Sequence, residues 1–167
     1  MTAGATFGSM RGPDGVPYRP PRKQSLALRQ RTGGITACWS MPLQRIDVST
    51  ARSPEVRARI ADAIHRALVE TISVPVDDRF QVVTPHPPGE LGFAPSYLGI
   101  PHRDPVLVQV TLSRGRTTEQ KQALYRRMAE LVQEAGVSPN ELVVSLVEAG
   151  REDWSFGNGI AQYVPEK

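Results

Sequence analysis

The sequence predicts an α/β (α+β) fold in which two duplicated β-α-β units form one four-stranded mixed sheet, covered by two helices on one face. Three observations indicate this fold class. The chain repeats itself at an offset of 64 residues. Each copy contains one amphipathic helical pattern, and each helical pattern is flanked by short runs rich in Val, Leu and Ile.

The internal repeat defines the two units. Residues 42–55 (PLQRIDVSTARSPE) align with residues 106–119 (VLVQVTLSRGRTTE). After one deletion, residues 74–83 (VPVDDRFQVV) align with residues 137–146 (VSPNELVVSL). Each unit therefore reads strand, helix, strand.

The helices have clear start signals. Ser53 is the expected N-cap of the first helix, with Pro54 at its first position. Thr117 and Gln120 form a capping box for the second helix, which we expect to end near Gly136. Each helix has an apolar face directed at the core: Val56, Ile60, Ile64, Leu68 and Ile72 in the first, and Leu124, Met128, Leu131 and Val132 in the second.

Strands are expected at about 42–48, 79–84, 106–112 and 142–147. A right-handed crossover makes the two strands of each unit parallel and places both helices on one face of the sheet. Because the sequence holds no third layer, we expect a homo-oligomer that buries the opposite face.

The amino-terminal 40 residues differ from the rest in composition. They carry six Lys and Arg against one Asp and contain six Gly and four Pro, whereas the remainder has 14 basic and 16 acidic residues. We therefore interpret 1–40 as a disordered extension or a mis-assigned start, and 41–167 as the folded domain. Cys38 is the only cysteine, so no disulfide forms within the chain and a cytoplasmic location is expected. The acidic body and the lack of a long apolar run indicate no nucleic-acid partner and no membrane span.

Four functional side chains should gather at one edge of the sheet. If a pseudo-twofold axis makes the first strands of the two units antiparallel, Pro42 at the start of one lies beside Arg114 and Arg116 at the end of the other. Asp78 enters the strand next to that of Pro42. Two guanidinium groups can hold a small carboxylate, so a small oxo-acid is the expected ligand.

Pro42 follows Met41, and this pair raises the question of where the functional chain begins. If Met41 is the initiator and is removed, Pro42 carries a free secondary amine that can act as an acid or a base. Burial and nearby guanidinium groups would lower the pKa of that amine, whereas the Asp78 carboxylate would raise it. An internal Pro42 would be a tertiary amide without proton chemistry.

These residues resemble the tautomerase superfamily over 42 to about 165, and malonate semialdehyde decarboxylase and its relatives in particular. The similarity lies in the segments MPLQRIDV, VPVDDRFQVV, SRGRTTEQK and REDWSFGNGIAQYV. The resemblance implies catalytic roles for Pro42, Asp78, Arg114 and Arg116. It also implies that Trp154 and Phe156 form an aromatic wall of the pocket. A homotrimer that needs no metal or organic cofactor is implied as well.

Two reactions are open under this resemblance. In the decarboxylase reading, the arginines hold the substrate carboxylate while cationic Pro42, supported by Asp78, polarises the carbonyl. In the tautomerase reading, neutral Pro42 carries a proton between carbon and oxygen. A third reading is a non-catalytic trimeric binding or structural protein, which requires Pro42 to stay internal.

Structural roles compete with these functional ones. Asp78 has Glu141 as its repeat counterpart and could be a turn residue, and Arg116 has Arg52 as its counterpart. Trp154 and Phe156 could be core or interface residues. His65 is expected on the helix surface or partly buried rather than in catalysis. His86 and His102 fall in Pro-rich loop sequence, within a long connection at 85–105, and no histidine has metal-ligand spacing.

Overall fold

The structure is a computed structural model that describes residues 41–165. The predicted disorder of 1–40, and Cys38 within that segment, lie outside the described residues. The first unit comprises β1 (Leu43–Ser49), α1 (Pro54–Ile72) and β2 (Phe80–His86). The connection contains β3 (Ser96–Tyr97) and β4 (Ile100–Pro101). The second unit comprises β5 (Val106–Ser113), α2 (Thr118–Glu134) and β6 (Leu142–Ala149), and short 3-10 turns span Pro139–Glu141 and Arg151–Asp153.

The four long strands form one mixed sheet in the order β2-β1-β5-β6. β1 is parallel to β2, β5 is parallel to β6, and the central pair β1 and β5 is antiparallel. Leu43 pairs with Phe80 in the first unit, and Leu107 pairs with Val143 in the second. These pairs are the ones that the repeat aligns, so the predicted duplication and fold class are confirmed.

Both helices pack against one face of the sheet. The strands contribute Ile46, Val48, Val110 and Leu112 to this core, and the helices contribute Ile60, Ile64, Leu68, Leu124, Met128 and Leu131. Each of these side chains is at most 2% exposed. Burying one such side chain contributes about 2 kcal/mol to the free energy of unfolding, so this layer holds the two units together.

The helix caps form as the sequence predicts. The Ser53 hydroxyl accepts a hydrogen bond from the Val56 N–H at 3.4 Å. The Gln120 N–H donates to the Thr117 hydroxyl at 3.3 Å, and the Thr117 N–H donates to the Gln120 side-chain oxygen at 2.9 Å. The second helix ends at Glu134, two residues before Gly136, whose φ of +89° is readily adopted only by glycine.

Two expectations about the histidines were wrong, and the connection between the units contains a hairpin that was not predicted. His65 is only 6% exposed, and its ring is hydrogen-bonded to the Gln44 side chain on β1 and to the Val76 carbonyl on the turn before β2. His86 is the last residue of β2, not a loop residue, and its Nε2 lies 2.8 Å from Asp47 Oδ1. The connection folds into a β3–β4 hairpin around Leu98 and Gly99, whose φ angles of 50° and 79° suit a tight two-residue turn.

The face of the sheet opposite the helices carries apolar side chains that are open to solvent in the described chain. Its apolar residues, which are 40% to 51% exposed, are Leu43, Phe80, Val82, Val143 and Val147. No helix in residues 41–165 is long and apolar enough to cross a membrane.

Candidate active site

One edge of the sheet brings together segments that are far apart in the sequence. β1 and β2 begin at this edge, whereas β5 and β6 end there. The antiparallel pairing of Leu43 with Thr111 places Pro42, which precedes β1, beside the end of β5. The topology therefore gathers the starts of two strands and the loops that follow the other two.

A cavity of about 550 Å³ lies at this edge. Its wall is mainly apolar and includes Met41, Pro42, Phe80, Thr111, Trp154 and Phe156. Pro42 is buried, and Met41 lies next to it in the wall. Removal of Met41 would take away part of the wall and expose the Pro42 nitrogen to the cavity.

Asp78 lies on a tight turn just before β2. Its N–H donates to the Pro75 carbonyl at 3.0 Å, which closes the turn. Burial raises the pKa of the Asp78 carboxyl above its ordinary value, the neighbouring Asp77 carboxylate adds to this rise, and His65 opposes it. The Oδ1 atom of Asp78 is buried and has no hydrogen-bond partner among residues 41–165. The hydrogen bond within the turn thus fixes the main chain at Asp78, and the Oδ1 atom of its carboxylate can still accept a hydrogen bond.

The two arginines that follow β5 differ in their surroundings. Arg116 is only 8% exposed, and its Nη1 donates to the Ser113 carbonyl at 2.7 Å. Its Nη2 is buried without a hydrogen-bond partner in the described part of the chain. Arg114 has an exposed side chain, and its main-chain N–H donates to the Ala149 carbonyl at 3.1 Å. A buried guanidinium edge with an unpaired donor is a costly arrangement that an anionic ligand would relieve.

The opposite edge of the sheet, where β1 ends and β5 and β6 begin, shows what the equivalent positions do when they are occupied. Arg52, the repeat counterpart of Arg116, lies with its Nη2 2.9 Å from the Asp104 carboxylate and also donates to the Asp104 carbonyl. Glu141, the counterpart of Asp78, accepts hydrogen bonds at 3.0 Å from the main-chain N–H groups of Arg103 and Asp104. These two residues thus clamp the segment that enters β5. At the edge that holds the cavity, Asp78 and Arg116 each retain a buried atom without a partner among residues 41–165, whereas Arg52 lacks a partner there only at its buried Nε.

Aromatic side chains from the segment after β6 line one side of the cavity. The rings of Trp154 and Phe156 stack with centroids 5.7 Å apart, and Phe156 meets Tyr163 edge-on at 4.9 Å. Burial raises the pKa of the Tyr163 hydroxyl, and the Asp78 carboxylate raises it further. The carboxyl-terminal segment therefore runs from the cavity wall to the neighbourhood of Asp78.

Comparison with known proteins identifies the family. Two family models, both described as "Tautomerase enzyme", match residues 42–100 and 78–157. Probable tautomerase YusQ of Bacillus subtilis (strain 168) is 38% identical over 126 residues, which cover 74% of this chain and 99% of YusQ. The chain belongs to the tautomerase family. Probable tautomerase YrdN of the same organism is 37% identical over 128 residues, which cover 76% of this chain and 99% of YrdN.

Solved structures of tautomerase-like proteins share this fold. The FG41 malonate semialdehyde decarboxylase inhibited by 3-bromopropiolate superposes with a TM-score of 0.69 at 39% identity, covering 72% of this chain and 93% of that one. A second malonate semialdehyde decarboxylase, studied for its decarboxylase and hydratase activities, gives a TM-score of 0.67 at 36% identity over 72% of this chain and 95% of that one. A fused 4-OT, solved as a symmetric trimer, gives 0.60 at 23% identity over 71% of this chain and 94% of that one.

The tautomerase structure separates the predicted site residues into two groups. Pro42, Trp154 and Phe156 line the cavity itself. Asp78, Arg114 and Arg116 lie at the same sheet edge but outside the cavity wall. Among residues 41–165, no three His, Cys, Asp or Glu side chains cluster as metal ligands would.

Sequence reasoning did not find several residues that shape the site. Phe80 and Thr111 line the cavity, and only the strand register, which pairs both of them with Leu43 of β1, could have indicated them. Glu148 near the end of β6 forms an ion pair with Lys121 at 2.9 Å. The Lys121 ammonium, and more weakly the Gly115 N–H and the charge of Arg116, lower the pKa of the Glu148 carboxyl. Glu148 therefore holds the loop that carries the two arginines.

Proposed function

We propose that this tautomerase acts on a small oxo-carboxylic acid through a free amino-terminal Pro42, in the manner of malonate semialdehyde decarboxylase. The proposal needs Pro42 to become the first residue of the mature chain. The match of the family model begins at residue 42, and the relatives align over nearly their whole length with about three quarters of this chain. Both observations support a functional chain that starts at Pro42.

The observation that carries the proposal is the contrast between the two edges of the sheet at which the strands begin and end. Arg52 and Glu141 hold a carboxylate, a carbonyl and two N–H groups of the chain itself. Arg116 and Asp78 stand at the equivalent positions with buried atoms that lack partners in the described chain. By analogy, Arg116 binds the carboxylate of a substrate, and Asp78 accepts a hydrogen bond from the amine of Pro42. Arg114, two residues before Arg116 in the same loop, has an exposed side chain and contributes a second positive charge.

The proposed decarboxylation proceeds in three steps. Arg116 and Arg114 hold the carboxylate of a 3-oxo acid, and either the Pro42 ammonium polarises its carbonyl or the neutral Pro42 amine adds to the carbonyl, which then loses water to give an iminium. The carbon–carbon bond to the carboxylate then breaks, and its electron pair forms an enolate or enamine as carbon dioxide leaves. Finally, a proton returns to the α-carbon, and water releases the product if an iminium was formed. The apolar wall excludes bulk water, which strengthens the attraction between the cation and the developing negative charge.

A tautomerase without decarboxylase activity is the second candidate. It is favoured by the raised pKa of Asp78, because a carboxyl that resists ionisation gives weaker support to a cationic proline. A neutral Pro42 amine would then act as a base that moves a proton between the carbon and the oxygen of an oxo-acid. The names of the two Bacillus relatives agree with this alternative.

Product analysis separates these functions. A chain that begins at Pro42 is incubated with a 3-oxo acid, and carbon dioxide and the carbonyl product are followed together. Release of both in equal amounts supports the decarboxylase. Ketonisation of an enol substrate without carbon dioxide supports the tautomerase. Absence of both reactions, together with binding of the oxo-acid, would contradict an enzymatic role and favour a non-catalytic binding protein.

We also propose that the tautomerase assembles as a homotrimer. The support from this chain is the apolar face opposite the helices, where Val82, Val143 and Val147 are 40% to 47% exposed. Apolar area of this kind is usually buried by a second copy of the chain. The number three comes from the family resemblance, and the mass of the particle in solution tests it.

A further inference from the structure

A series of hydrogen-bonded polar side chains lies between α1 and the sheet, in a region that is otherwise apolar. Gln44 on β1 is 0% exposed, and His65 on α1 is 6% exposed. Gln81 on β2 is half-buried and contacts Gln44. Buried polar groups are retained at a cost unless every partner is in place. The burial of these polar side chains therefore depends on the hydrogen bonds between them.

The direction of the hydrogen bonds is set at the Arg79 end. Arginine can only donate, and Arg79 Nε donates to Gln81 Oε1 at 2.6 Å. This fixes Gln81 Nε2 as a donor, and it donates at 2.6 Å to Gln44 Oε1. Its second hydrogen bond, to the Ala61 carbonyl at 2.8 Å, requires the same orientation. Gln44 Nε2 is thus also a donor, and it points at His65 Nδ1 at 3.4 Å.

The hydrogen bond at the other end of this series of side chains indicates the same His65 tautomer independently. His65 Nε2 lies 2.9 Å from the Val76 carbonyl, which can only accept. In the neutral form of His65 the proton therefore lies on Nε2, and Nδ1 is the acceptor. A second proton on Nδ1 would face the N–H of Gln44. Both ring nitrogens are satisfied in only one tautomer.

The hydrogen bond to Val76 connects His65 to the proposed site. Val76 is the second residue of the turn that Asp78 closes by donating its N–H to the Pro75 carbonyl. The turn residues Val76 and Asp77 are exposed and have little packing of their own, so the bond from His65 is a main restraint on them. The charged and titratable groups that influence Asp78 are Asp77 on the same turn, His65 on α1 and Tyr163 in the carboxyl-terminal segment.

We infer that His65 is a positioning residue, whose Nε2–H holds the turn so that the Asp78 carboxylate faces the start of β1. This inference rests on the proposed function, since it gives His65 a role in placing the acid that interacts with Pro42. The hydrogen bonds that begin at Arg79 fix the tautomer of His65. His65 itself does not touch the substrate. Loss of the bond to Val76 allows the turn to move and the Asp78 carboxylate to enter water more freely.

Two matched amide substitutions test the inference. His65→Gln can place an N–H where Nε2 lies and so keeps the bond to Val76, whereas His65→Asn reaches only the Nδ1 position and loses that bond. The titration of the Asp78 carboxyl is followed by carbon NMR, and kcat/KM is measured on the chain that begins at Pro42. We expect His65→Asn to bring the Asp78 titration closer to that of a free aspartate and to lower kcat/KM about tenfold, mainly through kcat. We expect His65→Gln to stay within about threefold of the wild type.

The remaining controls separate positioning from general destabilisation and from failure of the proposed function. Leu124→Ala creates a cavity on α2, away from the turn, and should lower the melting temperature without moving the Asp78 titration. If the wild type turns over no oxo-acid but the Asp78 titration moves in His65→Asn and not in His65→Gln, the positioning role stands and the proposed function fails. Equal titrations in the two variants would overturn the inference. If His65→Asn does not fold, nitrogen NMR of the wild-type ring decides the matter, because a proton on Nδ1 instead of Nε2 also overturns it.

Discussion

Arg52 and Arg116 occupy equivalent positions in the two halves of the fold, but only Arg52 has an acidic partner in the described chain, the Asp104 carboxylate at 2.9 Å. The same framework therefore serves two purposes. At one edge of the sheet Arg52 and Glu141 fasten the segment that enters β5, and at the other edge Arg116 and Asp78 lie beside a cavity. A duplicated unit can diverge in this way because each half keeps its own strand register and helix caps.

Substitution of the two arginines should have opposite consequences. Arg116→Ala is expected to raise KM for an oxo-acid and to lower kcat/KM about 100-fold, because a charge-assisted bond to the substrate carboxylate is lost. Arg52→Ala is expected to leave kcat/KM nearly unchanged but to lower the free energy of unfolding by about 1–3 kcal/mol, because Asp104 loses its partner. Steady-state kinetics and denaturant unfolding of both variants check this. A loss of activity in Arg52→Ala as large as that in Arg116→Ala would contradict the assignment.

The buried Asp78 carboxyl should make stability depend on pH. Because its pKa is higher in the folded chain than the ordinary value of 3.8, the unfolded state releases the proton more easily. Asp78 therefore favours folding most below pH 3.8, and this contribution is lost as the pH rises through the folded pKa. Asp78→Asn removes the ionisation and should be more stable than the wild type at neutral pH. The difference should shrink as the pH falls toward 3.8.

Denaturant unfolding at several pH values measures this difference. Asp78→Asn should also lose most of its turnover, so stability and activity move in opposite directions. A wild-type protein that is more stable than Asp78→Asn at neutral pH would show that the carboxylate has a favourable partner in the folded state.

The exposed apolar face predicts self-association. Val82→Arg places a charge on that face, on the outer strand β2 and at a residue that does not line the cavity, and should dissociate the oligomer into monomers. Light scattering coupled to size-exclusion chromatography gives the mass of both proteins. Lys121→Arg, on the helical side of the sheet, provides a charged control that should keep the wild-type mass. A wild-type mass equal to that of one chain would contradict the proposed assembly.

The fold could be predicted well from the sequence because its signals are local and repeated. The alignment of Leu43 with Leu107 gave the correct strand register in both halves, and the capping residues Ser53 and Thr117 lie where the helices begin. The β3–β4 hairpin escaped prediction because Leu98 is not a residue type that normally adopts a positive φ.

The site was less predictable because it depends on long-range contacts. His65 lies beside the main apolar stripe of α1, and nothing in its local pattern indicates a partner on a turn eleven residues later. The approach of Tyr163 to Asp78 depends on the path of the segment after β6, which has no regular periodicity. Proximity of Pro42, Asp78 and Arg116 to one edge followed from strand directions alone, whereas their different relations to the cavity required side-chain positions.

The central claim is that the amine of Pro42 is the catalytic group, and blocking that amine tests it most directly. Two chains are prepared that differ by one residue, one beginning at Pro42 and the other retaining Met41 before it. Turnover of a 3-oxo acid and of an enol substrate is measured for both, with the fold checked by circular dichroism. The account predicts that the chain beginning at Pro42 is at least about 1000-fold more active, because the retained methionine converts the amine into an amide without proton chemistry. Equal turnover by the two chains would contradict it.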